Sequence, residues 1–193
     1  MLEDKYKSIS RFFTISMIIP IILVRLIRRW KHIRFGYIDA RRLGHFTNDT
    51  ALYLAEIKSG LHKDYIGLFY FSTHCSNKCL KKKLTSHFHH SRIVEFLIKA
   101  NKLMPGHEKH SVVLPCGEDT YDLLKDSPLP LNFSPDEEKL GQETLQNFGI
   151  QKNDNFVCFS NRDSAYLDYR YPHENWDYHD YRDSDIKNYI PAM

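Results

Sequence analysis

The apolar positions of this chain fall into a few blocks of different period. From Phe12 to Val24 (FFTISMIIPIILV) the sequence is uncharged and mostly apolar, with no alternation. Ile33 to Asp39 (IRFGYID) reads as a strand, and Tyr65 to Ser72 (YIGLFYFS) as a second one. The second is apolar on both faces, as a buried parallel strand is. Between them Ala40 to Asn48 (ARRLGHFTN) reads as a polar loop, and Asn48 or Asp49 as the cap of a helix that runs through LYLAEI to Gly60. A long helical region follows Ser72 to about Leu103, where Pro105-Gly106 breaks it. Ser111 to Leu114 reads as a short third strand and Glu118 to Leu124 as a short helix.

Beyond Asp126 the pattern changes. Asp126 to Asn132 (DSPLPLN) carries two prolines and reads as a connection. Ser134-Pro135-Asp136-Glu137 then opens a helix, with Ser as cap, Pro at the first position and Glu placed for a capping box; Phe148-Gly149 closes it. Asn155 to Ser160 reads as a further strand, and Asp183 or Ser184 as the cap of a last helix. Strands alternating with helices predict an α/β domain with a largely parallel sheet. The expected division is a membrane-anchor helix with its basic flank over 1–32, a sheet domain over 33–132, and a linker helix with the start of a second domain over 133–193. In open parallel sheets the ligand site lies at the carboxyl ends of the strands. That rule selects the loop 40–48, the segment after Ser72 and the loop after Ser160.

The N-terminal apolar block is followed at once by Arg25, Arg28, Arg29, Lys31 and Arg34. A helix that crosses a bilayer needs about 20 apolar residues, and this block is shorter. No small-residue cleavage site follows it, so it does not read as a secretory signal. The basic flank suits anionic headgroups on the cytoplasmic face of a membrane. The block therefore reads as a short anchor, spanning or lying in the interface, with a buried core helix as the other possibility.

Composition narrows the class without naming a function. The chain has 193 residues, 42% hydrophobic and 26% charged, with net charge +3. So mild a charge gives no argument for nucleic acid. The four cysteines have no disulfide-framework spacing and read as reduced thiols. His74, Cys75, Cys79, His87, His89 and His90 raise zinc, but their spacing is poor and Lys81 to Lys83 interrupt them. No metal site and no cofactor is expected. No Gly-rich phosphate loop is present.

Two segments carry candidate chemistry. In Arg42 to Asp49 (RLGHFTND), Gly44 permits close backbone approach, and a helix N-terminus offers free N–H groups to an anion. His45 and Asp49 are both plausible general bases for a hydroxyl. The competing reading makes His45 structural and Asp49 a cap. In the tail, Arg162-Asp163-Ser164 follows the Asn155–Ser160 strand, where Arg162 can clamp a diphosphate or pair with Asp163 to order the loop. Tyr181 and Arg182, in Tyr178 to Asp183, are suited to a sugar face and a phosphate, or to fixing the loop itself.

These segments carry a resemblance. The run RLGHFTNDTALYLAE, then LFYFS…SN, FVCFSNRDSAYL and YHDYRDSDIKNYI, resembles a family of bacterial glycosyltransferases from surface-polysaccharide gene clusters. The resemblance implies a GT-B architecture, with this sequence its N-terminal portion: a Rossmann-like acceptor-side domain, then the start of a donor-side domain. It implies a sugar nucleotide as donor substrate and a glycan or lipid-linked acceptor at the cytoplasmic face of the inner membrane. His45 or Asp49 would then deprotonate the acceptor, with Gly44 beside it. Arg162, Asp163, Tyr181 and Arg182 would serve the donor. The family continues past NYIPA, so a non-catalytic truncated or split-subunit binding module is the alternative expectation.

Overall fold

The computed structural model describes residues 10–126 and 131–192. The prolines of the 126–132 connection lie outside the described residues, as do the first nine residues of the chain and Met193. The chain divides into two compact units, with the boundary between Asn132 and Phe133.

The first unit is an α/β layer structure. Its regular elements are α1 (Ile18–Leu26), β1 (Ile33–Ile38), α2 (Leu43–Ser59), β2 (Ile66–Phe71), α3 (Lys78–Thr85), β3 (His89–His90), α4 (Ile93–Lys102) and β4 (Ser111–Val112). The four strands form one parallel sheet in the order β3-β2-β1-β4. The region after Ser72 is thus two helices separated by a two-residue strand, where the sequence pattern predicts one long helical stretch. His87, Phe88 and His89 lie at that break. Phe88 is buried among Phe69, Phe71 and Tyr53, which a continuous helix would not allow.

Alternation along the strands sorts the core into two layers. Ile38, Phe69 and Phe71 face α2 and α3, and pack with Phe46, Tyr53, Leu80, Leu84 and Phe88. Ile33, Phe35, Leu68 and Tyr70 face α1 and α4, and pack with Ile21, Val94 and Ala100. Phe69 needs two glycines. A Cβ on Gly36 would sit 2.3 Å from its ring, and one on Gly67 would sit 2.6 Å from it. The ring therefore lies across the space that those two residues leave.

The N-terminal helical run covers Ser10–Arg29, 20 residues, and is long and apolar enough to cross a membrane by length and composition. It is interrupted at Met17, where Pro20 has no N–H to give the Ser16 carbonyl. One side of it is docked on the domain. Ile21 is fully buried, and the Arg25 guanidinium donates to the Pro105 carbonyl at 2.7 Å and to Asn101 Oδ1 at 2.9 Å.

At the amino ends of the strands, His110 is buried and bonded through Nδ1 to the Ile33 carbonyl at 2.8 Å. Burial pushes its pKa down, and His32, Arg25 and Arg28 push it further down. The folded state thus binds a proton less readily than the unfolded chain. Stability from this group is complete above the ordinary histidine pKa of about 6.5 and is lost as pH falls below it. The melting temperature should drop on acidification through that range, and His110→Asn should flatten the drop. An identical pH profile for the variant would remove His110 as its origin.

The second unit contains α5 (Pro135–Asn147), α6 (Ala165–Arg170) and two 3-10 segments, Asp177–Arg182 and Ile186–Ala192. The capping box at Ser134 and Glu137 forms as the sequence predicts, with Pro135 in the first turn. The predicted strand Asn155–Ser160 does not form: the segment is irregular and Val157 is 77% exposed. An apolar run makes a strand only where another strand completes its hydrogen bonds, and none pairs with it among the described residues. The last helix is of the tighter 3-10 type. Glu118 to Leu124 is likewise turns, held by Asp119, whose carboxylate accepts from the Leu123 and Leu124 amides at 2.9 Å each.

Candidate functional site

In this strand order the chain reverses direction of growth across the sheet at β1. β2 and β3 lie to one side of it and β4 to the other. A crevice outside the carboxyl ends of β1 and β4 is the expected ligand position in open parallel sheets. The segments that border it are 39–49 after β1 and 113–118 after β4.

The first of these is shorter as a loop than the sequence suggests. α2 begins at Leu43, with Arg42 as its extended cap residue and no side-chain cap bond. Asn48 and Asp49 are therefore in the second turn and cap nothing. Gly44 and His45 belong to the first turn. A Cβ on Gly44 would meet nothing within 4 Å, so no packing demand of the unit explains a glycine there. His45 and Asp49 are four residues apart and share one helix face.

Asp49 is the chemically distinctive member. Its side chain is 14% exposed, and Oδ2 lies 3.8 Å from His45 Nδ1, an ion-pair separation too long for a hydrogen bond. Oδ1 is buried and has no hydrogen-bond partner among the described residues. Burial pushes the Asp49 pKa up; His45 pulls against that, and Asp39 adds to it. A carboxylate held partly out of water and under-bonded is a better proton acceptor than a free one. The His45 side chain is half exposed beside Asp49.

Neighbouring groups fix this edge. Asp39, at the end of β1, takes a two-pronged contact from Arg41, Nε to Oδ1 at 2.8 Å and Nη2 to Oδ2 at 2.6 Å. Arg41 holds the Asp39 pKa down. The Ala40 amide donates to Ser72 Oγ at 2.9 Å, and the Ser76 amide to the Ala40 carbonyl at 2.8 Å. These bonds tie the loops after β1 and β2 together. On the β4 side Cys116 and Gly117 both have left-handed backbone, at φ 48° and 83°. A Cβ on Gly117 would lie 3.2 Å from Asn48 Nδ2, so this turn comes directly against α2.

Asp39, Arg41 and Cys116 are not singled out as site residues by the sequence, and Asn48 only as a helix cap. Asp39 and Arg41 had a usable signal, an Asp at a strand end followed two residues on by Arg. Asn48 and Cys116 had none, because their proximity depends on β4 lying beside β1.

In the second unit, Arg162 does not follow a strand. Its Nε lies 3.5 Å from Asp183 Oδ1, so its partner is Asp183 and not the adjacent Asp163. The Ser184 amide donates to the Arg162 carbonyl at 3.0 Å, and Ser184 Oγ to Asn161 Oδ1 at 2.6 Å. Asp163 accepts from the Ala165 amide at 3.2 Å in the turn just ahead of α6. Arg182 Nε donates to the Tyr181 hydroxyl at 2.7 Å with the guanidinium over that ring. The Arg162 and Tyr181–Ser184 segments thus meet, while Arg182 and Tyr181 pair with each other at an exposed position. Among the described residues no group of three or more His, Cys, Asp or Glu is placed to hold a metal ion.

No family model, curated protein or solved structure matches this chain.

Proposed function

We propose that the chain acts in glycosyl transfer from a sugar nucleotide to a lipid-linked or surface-glycan acceptor at the cytoplasmic face of the inner membrane. In this reading the first unit is the Rossmann-like, acceptor-side half of a GT-B architecture. The observation that carries it is the Asp49 carboxylate, desolvated and with one oxygen unpartnered, beside His45 at the carboxyl edge of a parallel sheet. A hydroxyl placed over the first turn of α2 would reach an acceptor for its proton there. Open space at Gly44 would admit it. On the donor side, Arg162 and Arg182 would oppose the leaving diphosphate, Arg162 by turning from Asp183.

A binding role without catalysis is the second reading. It is favoured by the second unit, which contains no strand among the described residues. Among the described residues a donor-binding wall of the sheet type has no counterpart there.

Deleting the gene in its own organism separates the two. The transferase reading expects one sugar linkage to disappear from a surface glycan or its lipid-linked precursor. Wild type should restore it, and neither His45→Ala nor Asp49→Asn should do so fully. An unchanged glycan profile after deletion would sink the proposal. Full restoration by both variants would leave the binding reading.

A further inference from the structure

The N-terminal helix has two apolar faces, and the fold uses only one. Ile21, with Met17, Ile18 and Val24 around it, packs against Phe35, Val94 and Ala100. The rings of Phe13 and Phe96 lie 5.4 Å apart, and Arg25 ties the other end to Asn101 and Pro105. The opposite face carries Phe12, Ile15, Ile19, Leu23, Leu26 and Trp30, all exposed, from 57% at Leu23 to 81% at Trp30. Their spacing of three or four residues keeps them on one stripe, roughly 27 Å long at the helical rise. A continuous apolar stripe of that size on a folded surface marks an interaction site.

Charge chooses the partner. Arg11 precedes the stripe and Arg28, Arg29 and Lys31 end it, all of them exposed. No carboxylate occurs anywhere from Ser10 to Ile38. An apolar stripe rimmed only by cations fits an anionic lipid surface, with the stripe at the acyl boundary and the cations among the headgroups. A second copy of the same helix would bring like charges together.

Docking decides the orientation. α4 starts just after the carboxyl end of β3 and ends just before the amino end of β4, so it runs antiparallel to the strands. The N-terminal helix runs alongside it in the same direction, Phe13 near Phe96 and Arg25 near Asn101. To span a bilayer it would have to leave α4, expose Ile21 and Phe35, and strip the buried Asn101 of its Arg25 contact. We infer that the helix stays docked and lies in the plane of an anionic leaflet, with the Phe12–Trp30 face in the membrane. The strands then run along the membrane surface. The carboxyl edge of the sheet opens sideways over the lipid headgroups, not away from them.

The full chain should co-sediment with vesicles of phosphatidylcholine containing a third phosphatidylglycerol, and only weakly with phosphatidylcholine alone. Ile19→Glu, at an exposed position, should lower that partition by about tenfold or more with an unchanged melting temperature. Orientation is read from single-tryptophan variants, Phe12→Trp and Ile19→Trp in a Trp30→Phe, Trp176→Phe background, quenched by lipids brominated at different depths. The in-plane helix expects the same shallow depth at both positions. Ile19→Trp at the bilayer centre would overturn it in favour of a span. No vesicle binding, with a dimer that Ile19→Glu dissolves, would show that a second copy covers the face instead.

Discussion

On the proposed reading, Asp49→Asn should lower glycosyl transfer by about 10² to 10⁴-fold and leave the fold intact. The rate is read as transfer from sugar nucleotide into lipid, in membranes of the deletion strain carrying the variant. The amide keeps the shape of the side chain but cannot accept the hydroxyl proton. A helix cap at this position would instead lose about 1 kcal/mol of stability with activity retained, and Asp49 lies beyond the first turn of α2. The pH dependence has a definite sign. Burial raises the Asp49 pKa, so the folded state binds the proton more readily than the unfolded chain. Wild-type stability therefore falls as pH rises from the ordinary carboxylate range through the raised value, and is flat above it. The variant lacks that loss, so it should melt no lower than wild type at neutral pH, and its advantage should vanish in acid. A variant that melts lower at neutral pH and transfers at the wild-type rate would show that Asp49 is structural.

Phe69→Ala should cost about 3 to 5 kcal/mol, toward the upper end of that range. Phe69 is 2% exposed on the strand between β1 and β3, with Tyr53 and Phe88 ring centroids 5.2 and 5.0 Å away. The floor of the cavity left behind is Gly36 and Gly67, which have no side chains to move into it. Domains of this size hold only about 5 to 15 kcal/mol in total, so the variant should be largely unfolded or greatly lowered in denaturant midpoint. The reverse change, Gly36→Ala, forces the ring aside and should cost about 1 to 3 kcal/mol. A Phe69→Ala midpoint close to wild type would mean that the aromatic layer is not the core of the unit.

Both effects arise from features that differ in how far the sequence shows them. The Gly36 and Gly67 positions are visible in IRFGYI and IGLFYF; Gly67 lies two residues before Phe69 on the same strand, whereas only the parallel register places Gly36 opposite that ring. His45 and Asp49 were legible as candidates because they flank a strand-to-helix junction. Their environment was not legible. The helix starts six residues before Asp49, and Phe46 in its first turn extends the buried apolar face. Phe46 is buried in the main core and draws the chain into helix early.

By itself the sequence determined the parallel α/β class, the two main strands, the capping box at Ser134 and the apolar, basic-flanked N-terminus. All of these depend on local period, turn chemistry or charge, which neighbouring residues carry among themselves. The tertiary structure alone decided the strand order, and with it that the Cys116-Gly117 turn lies against Asn48. It also decided that Asn155–Ser160 forms no strand, that Arg162 pairs with Asp183, and that one face of the N-terminal helix is already occupied. Each of these is set by whether a partner distant in sequence is brought to the segment. Backbone hydrogen bonds, buried charges and apolar faces are satisfied by whatever the fold brings to them, and a local pattern records the need without naming the partner.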